Sequence, residues 1–192
     1  MKFILDAGPV LNFVAVGEQN CLIQTANLYQ AQLCVPEQVS YEIEEQARRN
    51  RRFARTGAEG RWRTLRASTY ITVLDDDVSA NPALAQELTL VAGKPASQRV
   101  NQNRDLGEDM VIAHACVLAS QGHDVVLLID ERRGRKAADT ARRRLQTRGL
   151  SGSITLISTK TILEQADPKW FNATHGDWTR VYTAMKAYDD GL

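Results

Sequence analysis

The sequence predicts an α/β protein with a three-layer α/β/α architecture around a mostly parallel sheet of about five strands. Short apolar runs, such as Lys2–Leu5 and 125–129, alternate with longer helical patterns along the chain. These runs are aliphatic and lack strict alternation, which is typical of strands buried on both faces. An acidic residue follows each of these two runs, at the edge where open α/β sheets bind ligands.

The first part of the chain supplies three strands and the helices between them. Proline is favoured in the first turn of a helix, where its missing N–H would have no partner, so Pro9 and Pro36 mark helix starts. The predicted elements are a strand over Lys2–Leu5, a helix opened by Gly8 and Pro9, a helix over 19–30, a strand over 33–35, a helix begun by Pro36, a short helix over 61–66 and a strand over Ile71–Leu74.

The second part repeats the alternation of helix and strand. Segment 94–105 is polar and has no periodicity, so we predict a mobile loop there. The other predicted elements are a helix from Asn81 to about Gly93, an amphipathic helix over Leu106–Ser120, a strand over 125–129, an Arg-rich helix over about 131–147, a strand over 154–157 and a short helix over Thr159–Gln165.

Two units follow from this pattern. Residues 1–165 form the main domain, with a longer Arg-rich middle section over about 48–105. Residues 166–192 form a C-terminal helical tail, which we expect to pack on the domain or on a partner.

The composition is that of an ordinary globular protein, with 43% apolar and 24% charged residues. No apolar run reaches the roughly 18 residues that a membrane helix needs. The N-terminus lacks the pattern of a signal peptide. Cys21, Cys34 and Cys116 have no metal-ligand spacing and are most simply buried thiols in a reducing compartment. We therefore expect a cytoplasmic protein with no membrane partner.

The net charge of +1 hides a strong asymmetry. Segments 48–66 and 131–148 carry net charges of +7 and +6, and almost all of their cations are arginine. Arginine favours bidentate contact with phosphate, so the two blocks favour nucleic acid over two solvated helix faces or a basic surface that meets an acidic partner protein.

Four acidic residues are the candidate chemical site: Asp6, Glu42, Asp109 and Asp130. Asp6 and Asp130 end strands, whereas Glu42 and Asp109 lie on helices next to strands. Carboxylates that converge repel one another unless a cation joins them, and hard oxygen ligands suit Mg²⁺ or Mn²⁺. We therefore predict that the four residues form one acidic cluster, and no Lys or Arg stands immediately beside Asp6 or Asp109.

Several alternatives remain open at these positions. A lone Asp at a strand end is often a turn former or a helix cap. Glu108 and Glu131 each adjoin a proposed ligand and could replace it or assist it. Glu45, one turn beyond Glu42, could replace Glu42, whereas Glu44 points elsewhere.

The order of these motifs resembles PIN domains, the nuclease fold of VapC-type toxins. The resemblance covers about residues 1–165, while the long middle section and the tail depart from it. The segments that carry it are Asp6-Ala-Gly-Pro-Val-Leu-Asn12, Val35-Pro-Glu-Gln-Val-Ser-Tyr-Glu42-Ile, Leu106-Gly-Glu-Asp109-Met-Val-Ile-Ala-His-Ala115, Leu128-Ile-Asp130-Glu-Arg-Arg-Gly-Arg-Lys-Ala-Ala138 and Ile157-Ser-Thr-Lys-Thr-Ile-Leu163.

The resemblance implies Mg²⁺- or Mn²⁺-dependent cleavage of RNA, with Asp6, Asp109 and Asp130 holding one or two ions and Glu42 holding an ion or orienting the attacking water. Ser158 or Thr159 would donate to a carboxylate or a phosphate, unless it only caps a helix. The expected contacts to the RNA backbone are Arg132, Arg133, Arg135 and Lys136. Further partners would be a cognate antitoxin and a second copy of the chain.

A binding module is the alternative of a different class. A PIN-like scaffold could bind nucleic acid or a protein with little catalysis.

Two other families with acids at strand ends fit the sequence less well. Receiver domains usually pair two acids after their first strand, but Asp6 is followed by Ala7. Haloacid-dehalogenase-like phosphatases would need an Asp where this chain has Gly8.

Overall fold

The computed structural model describes residues 1–149 and 151–189. Its core is one sheet of five parallel strands in the order β3-β2-β1-β4-β5. The strands are β1 Lys2–Leu5, β2 Gln32–Pro36, β3 Ile71–Leu74, β4 Asp124–Leu128 and β5 Ser153–Ile157. The predicted α/β class and the parallel sheet are confirmed.

Helices cover the sheet and complete a three-layer α/β/α arrangement. They are α1 Ala7–Val16, α2 Gln19–Leu28, α3 Glu37–Arg49, α4 Ala58–Arg66, α5 Pro82–Ala92, α6 Ala96–Arg99, α7 Leu106–Ser120, α8 Arg132–Thr147, α9 Thr159–Gln165 and α10 Trp178–Lys186. Helix α7 is buried along most of its length and packs across β1, β2, β4 and β5. None of the helices in the described part of the chain is long and apolar enough to cross a bilayer.

The strand order creates a switch point between β1 and β4. These two strands pair in parallel, with Lys2 opposite Val125 and Leu5 opposite Leu128. From β1 the chain moves outward to β2 and β3, and it then crosses back to β4 and β5. The connections leave β1 and β4 in opposite directions, which opens a crevice at the carboxyl ends of these strands.

Segment 94–105 is not the structureless loop that its composition predicts. Residues Ala96–Arg99 form the one-turn helix α6, and the Arg99 side chain is buried. A single turn is too short to produce a helical period in the sequence, and a buried arginine cannot be distinguished from an exposed one by composition.

The C-terminal tail packs on the domain, which is one of the two arrangements predicted for it; the other was packing on a partner. Helix α10 contacts α1 and α9, and its Val181 and Met185 side chains are fully buried in the main apolar core. The tail thereby lies beside the start of α1, at the edge of the sheet where Asp6 emerges.

Candidate functional site

Asp6 and Asp130 lie at the same edge of the sheet. Asp6 directly follows β1, and its backbone N–H donates to the carbonyl oxygen of Leu128 at the end of β4 (3.2 Å). Asp130 lies two residues beyond β4. Because β1 and β4 are neighbouring parallel strands, their carboxyl ends deliver both aspartates to the switch-point crevice.

A cleft of about 680 Å³ opens over this crevice. We call it the acidic cleft. Its acidic lining residues are Asp6, Glu42, Glu45, Asp105, Glu108, Glu131 and Asp189. The cleft thus gathers carboxylates from the first strand, from helices α3 and α7, from the start of α8 and from the C-terminal tail.

Asp6 is a buried carboxylate whose side chain is not used as a helix cap. It occupies the N-cap position of α1, yet its side chain makes no capping hydrogen bond. Burial raises the pKa of Asp6 to about 7, and the nearby charges of Glu108, Glu42 and Glu131 add to that effect while a backbone hydrogen bond from Ala7 opposes it. The Asp6 carboxyl group is therefore available to a ligand at the floor of the cleft.

Glu42 is held in place by two donors. Its Oε1 accepts hydrogen bonds from Gln38 Nε2 (2.9 Å) and from the Gly107 backbone N–H (3.1 Å). Burial raises the pKa of Glu42, although these two donors oppose the shift. A Cβ atom at Gly107 would lie 2.8 Å from Glu42 Cδ, so only glycine lets the carboxylate sit at this position.

Glu108, and not Asp109, faces the cleft from α7. Burial raises the pKa of Glu108 to about 7, while the nearby Arg133 guanidinium acts in the opposite direction. A Cβ atom at Gly134 would lie 2.7 Å from Glu108 Oε2, so this glycine makes room for the carboxylate. Of the two adjacent acids that the sequence left open, Glu108 is the one that lies near Asp6.

Asp109 is turned away from the cleft and paired with a buried arginine. Arg99 Nε donates to Asp109 Oδ2 at 2.5 Å, and both side chains are almost fully buried. The prediction that Asp109 belongs to one cluster with the other three acids is therefore wrong. The reason is α6, which carries Arg99 across the start of α7.

Asp130 is bound by the start of α9. The Thr159 backbone N–H donates to Asp130 Oδ1 (2.8 Å), and Thr159 Oγ1 donates to Asp130 Oδ2 (2.5 Å). Burial raises the pKa of Asp130, while these donors oppose the shift. Ser158 instead caps α9, because its Oγ accepts from the Thr161 N–H (3.2 Å). Glu131, the neighbour of Asp130, lines the acidic cleft.

A second groove, which we call the basic groove, runs from Asp130 along α8. It has a volume of about 870 Å³, and its lining includes Arg132, Arg135 and Lys136. Arg135 Nη1 donates to the strand-end carbonyl oxygens of Ile129 and Ile157 (3.0 Å each), so this arginine also fixes the ends of β4 and β5.

The other cations near the acids differ in how they are paired. Arg133 forms an ion pair with Asp105 across the mouth of the acidic cleft. Arg132 and Lys136 form no ion pair within residues 1–149 and 151–189, which leaves them available to an anion.

Most of the first arginine block is engaged with the protein itself. Arg61 Nη1 donates to the carbonyl oxygen of Val14 (2.5 Å) near the end of α1, and Arg66 pairs with Glu44. Arg48 and Arg49 both pair with Glu45 at the rim of the acidic cleft. Glu44 therefore points away from the cleft, as its helical position predicts, while Glu45 lies on its wall.

Sequence reasoning missed several polar residues of the cleft, among them Asn12, Gln38, Asp105 and Asp189. Gln38 lies four residues before Glu42 on α3, and this spacing could have identified it as a partner on the same face. Asn12 follows Asp6 by less than two helical turns. Asp189 had no signal in the sequence, because the docking of the tail brings it to Asn12 from 177 residues away.

The donor set of the cleft fits a hard divalent cation. Carboxylate oxygens dominate the lining, two of the carboxyl groups have a pKa raised to about 7, and Gly107 and Gly134 leave space for two of the carboxylates. Across residues 1–149 and 151–189, no three acidic, histidine or cysteine side chains converge closely enough to ligate one ion as they stand. Cation binding would therefore require side-chain rotation that draws the carboxylates together.

No protein-family model, curated protein or solved structure matches this chain.

Proposed function

We propose that the chain is a Mg²⁺- or Mn²⁺-dependent endoribonuclease that hydrolyses RNA phosphodiester bonds in the acidic cleft. The observation that carries the proposal is that buried Asp6 and half-buried Glu108 line one cleft at the switch-point crevice, each with a pKa raised to about 7. Such a site is costly without a cation and gains stability when one binds. The motif resemblance to PIN domains supports the same activity.

The chain's own residues would divide the work among them. Asp6, Glu108 and Glu42 would hold the cation through carboxylate oxygens, with Glu131 at the wall of the same cleft. A bound divalent cation supplies positive charge that acidifies a water and stabilises the charge developing on the phosphate. Gln38 and the Gly107 N–H both donate to Glu42 Oε1, and these two hydrogen bonds fix the orientation of the carboxylate.

The basic groove would position the RNA backbone. Arg132 and Lys136 line a groove that begins at Asp130, which borders the same crevice. A strand bound along α8 would lead its phosphates toward the acids, and each contact would release counterions. Arg133 and Arg135 would contribute less to RNA binding than the sequence predicts, because Asp105 and two strand-end carbonyl oxygens already engage them.

A binding module with little catalysis is the second candidate, and the Arg99–Asp109 pair favours it. One of the four predicted acids is neutralised and lies outside the cleft. In that case the basic groove would bind RNA, or the chain would bind a partner, without cleavage. An antitoxin encoded by a neighbouring gene would extend either candidate to a toxin–antitoxin pair.

The test is a substrate panel with the full chain. Labelled single-stranded RNA, duplex RNA and single-stranded DNA of one sequence are incubated with the protein in Mg²⁺, in Mn²⁺ and in excess EDTA. The nuclease proposal predicts internal cleavage of RNA in either metal and none in EDTA. Binding of RNA without cleavage in any metal would favour the binding module instead.

A further inference from the structure

Residues 188–189 of the C-terminal tail are fixed at the mouth of the acidic cleft. The Tyr188 ring stacks on Phe53, with centroids 6.0 Å apart and an interplanar angle of 25°. Arg52 Nη1 also donates to the Tyr188 carbonyl oxygen (3.4 Å). These contacts tie the tail to the Arg-rich section that follows α3 and bring the next residue, Asp189, into the cleft.

Asp189 lies at the start of α1 and close enough to Asp130 for its charge to act there. Its Oδ2 accepts a hydrogen bond from Asn12 Nδ2 at 2.7 Å. The same oxygen would lie 3.9 Å from a Cβ atom at Gly8, in the first turn of the helix that Asp6 begins. The Asp189 charge also acts on Asp130 and contributes to its raised pKa. Asp189 thus adds a carboxylate from the tail to the acidic cleft, and its charge reaches Asp130.

Asn12 provides an independent indication of a ligand site. Its side chain is fully buried and belongs to the wall of the acidic cleft. Its Oδ1 has no hydrogen-bond partner in the described part of the chain, although Nδ2 of the same amide reaches Asp189. A buried carbonyl oxygen without a partner is costly, and it is satisfied by a donor or by a cation in the adjacent space.

We infer that Asp189 is a further residue of the cation site, supplied by the tail and oriented by Asn12. This inference rests on the proposed cation-dependent function. It assigns to the tail a carboxylate that joins Asp6 and Glu108, whereas the Asp109 carboxylate is engaged by Arg99. The tail would then be a part of the site, and its docking on α1 would be required for full affinity for the metal.

The experiment is a Mn²⁺ titration of the full chain, with free Mn²⁺ followed by electron paramagnetic resonance. Wild type is compared with Asp189→Asn, which can still accept the hydrogen bond from Asn12 but lacks the charge. Glu164→Gln is the matched control, because it removes one charge from an exposed position near the tail. Asp189→Glu keeps the carboxylate, and Asp6→Asn reports on the site as a whole. Thermal unfolding of each variant verifies the fold.

The inference predicts that Asp189→Asn raises the Mn²⁺ dissociation constant about tenfold or more, that Asp189→Glu retains tighter binding than Asp189→Asn, and that Glu164→Gln stays close to wild type. Unchanged affinity in Asp189→Asn, together with loss of binding in Asp6→Asn, would overturn this inference and leave the proposed function intact. Tighter binding in Asp189→Asn would also overturn it, because the tail carboxylate would then obstruct the site. If wild type and Asp6→Asn bind Mn²⁺ equally weakly, the acidic cleft is not a cation site, and both this inference and the proposed function are wrong.

Discussion

Arg99 Nε donates to Asp109 Oδ2 at 2.5 Å, and the two side chains are only 4% and 9% exposed. Arg99 also donates to the carbonyl oxygen of Arg104 (2.8 Å), so one guanidinium fixes both the segment after α6 and the first turn of α7. The next residue toward the N-terminus of α7, Glu108, faces the acidic cleft. The buried pair therefore sets the position of a cleft residue without entering the cleft.

Loss of Arg99 should destabilise the protein strongly. Arg99→Ala leaves the buried Asp109 carboxylate without a counter-charge, so we expect the free energy of unfolding to fall by about 3 kcal/mol or more. Removing both charges, as Arg99→Met with Asp109→Leu, should cost less than Arg99→Ala alone. Urea denaturation measures both differences. If Arg99→Ala lowers the free energy of unfolding by less than about 1 kcal/mol, Asp109 does not depend on Arg99 for its counter-charge, and this prediction is wrong.

The metal-free protein should lose stability as the pH rises from about 4 to about 7. Asp6 and Glu108 titrate near pH 4 in the unfolded chain, whereas both have a pKa of about 7 when folded. Between these values the folded chain binds more protons than the unfolded chain, so the free energy of unfolding falls with pH. The stabilising contribution is complete below about pH 4 and is lost above about pH 7.

The variant Asp6→Asn measures the part of this pH dependence of stability that comes from Asp6. The variant cannot ionise at position 6, so its stability relative to wild type should increase across the same window, by on the order of 2 kcal/mol. Denaturant unfolding in EDTA at about pH 5 and pH 8 measures the difference. A stability difference that stays constant with pH would contradict the raised pKa of Asp6.

Gly107→Ala should displace the Glu42 carboxylate from its donors. The added methyl group would lie 2.8 Å from Glu42 Cδ, so the side chain must rotate and lose the hydrogen bond from the backbone at position 107. Gly60→Ala is the matched control, because it also lies in a helix but its Cβ would meet nothing within 4 Å. We expect the control to stabilise the chain by about 0.5–1 kcal/mol and Gly107→Ala to lower RNA cleavage. Equal cleavage by the two variants would mean that the position of Glu42 has no role.

RNA binding should depend on salt through the basic groove. Arg132→Ala with Lys136→Ala removes two cations that have no ion-pair partner in residues 1–149 and 151–189. For single-stranded RNA, the slope of log K against log salt should become shallower by about 0.7 for each lost phosphate contact. Arg63→Ala with Arg66→Ala is the control, because these arginines pair with Glu59 and Glu44 and lie outside the groove. Fluorescence anisotropy at several salt concentrations measures the slopes. Identical slopes in both double variants would show that Arg132 and Lys136 do not contact the RNA phosphates.

The sequence predicted the centre of the sheet well because both faces of β1, β2 and β4 are largely buried. The apolar runs around Phe3 and Val126 are favourable only in the buried interior. Asp6 and Asp130 mark the positions at which these runs end. The choice between Glu108 and Asp109 could not be predicted in this way. Helix α7 is buried on most of its surface, so its apolar pattern does not fix which of two adjacent residues faces the cleft.

Long-range contacts account for the rest of what the sequence did not predict. Arg99 lies in a one-turn helix without a periodic signal, and its burial depends on a partner ten residues away. Asp189 reaches Asn12 only because Val181 and Met185 anchor α10 in the core. Neither contact follows from local propensity, because both depend on how separate elements dock.

The initial rate of RNA cleavage tests the central claim most directly. Wild type, Asp6→Asn, Glu108→Gln and the exposed control Glu164→Gln are compared in Mg²⁺, and wild type is also assayed in excess EDTA. We predict that Asp6→Asn and Glu108→Gln each lower the rate at least about 100-fold, which corresponds to about 2.7 kcal/mol of activation free energy. Glu164→Gln should match wild type, and EDTA should abolish cleavage. Wild-type rates in Asp6→Asn, or full activity in EDTA, would contradict a cation-dependent nuclease centre in the acidic cleft.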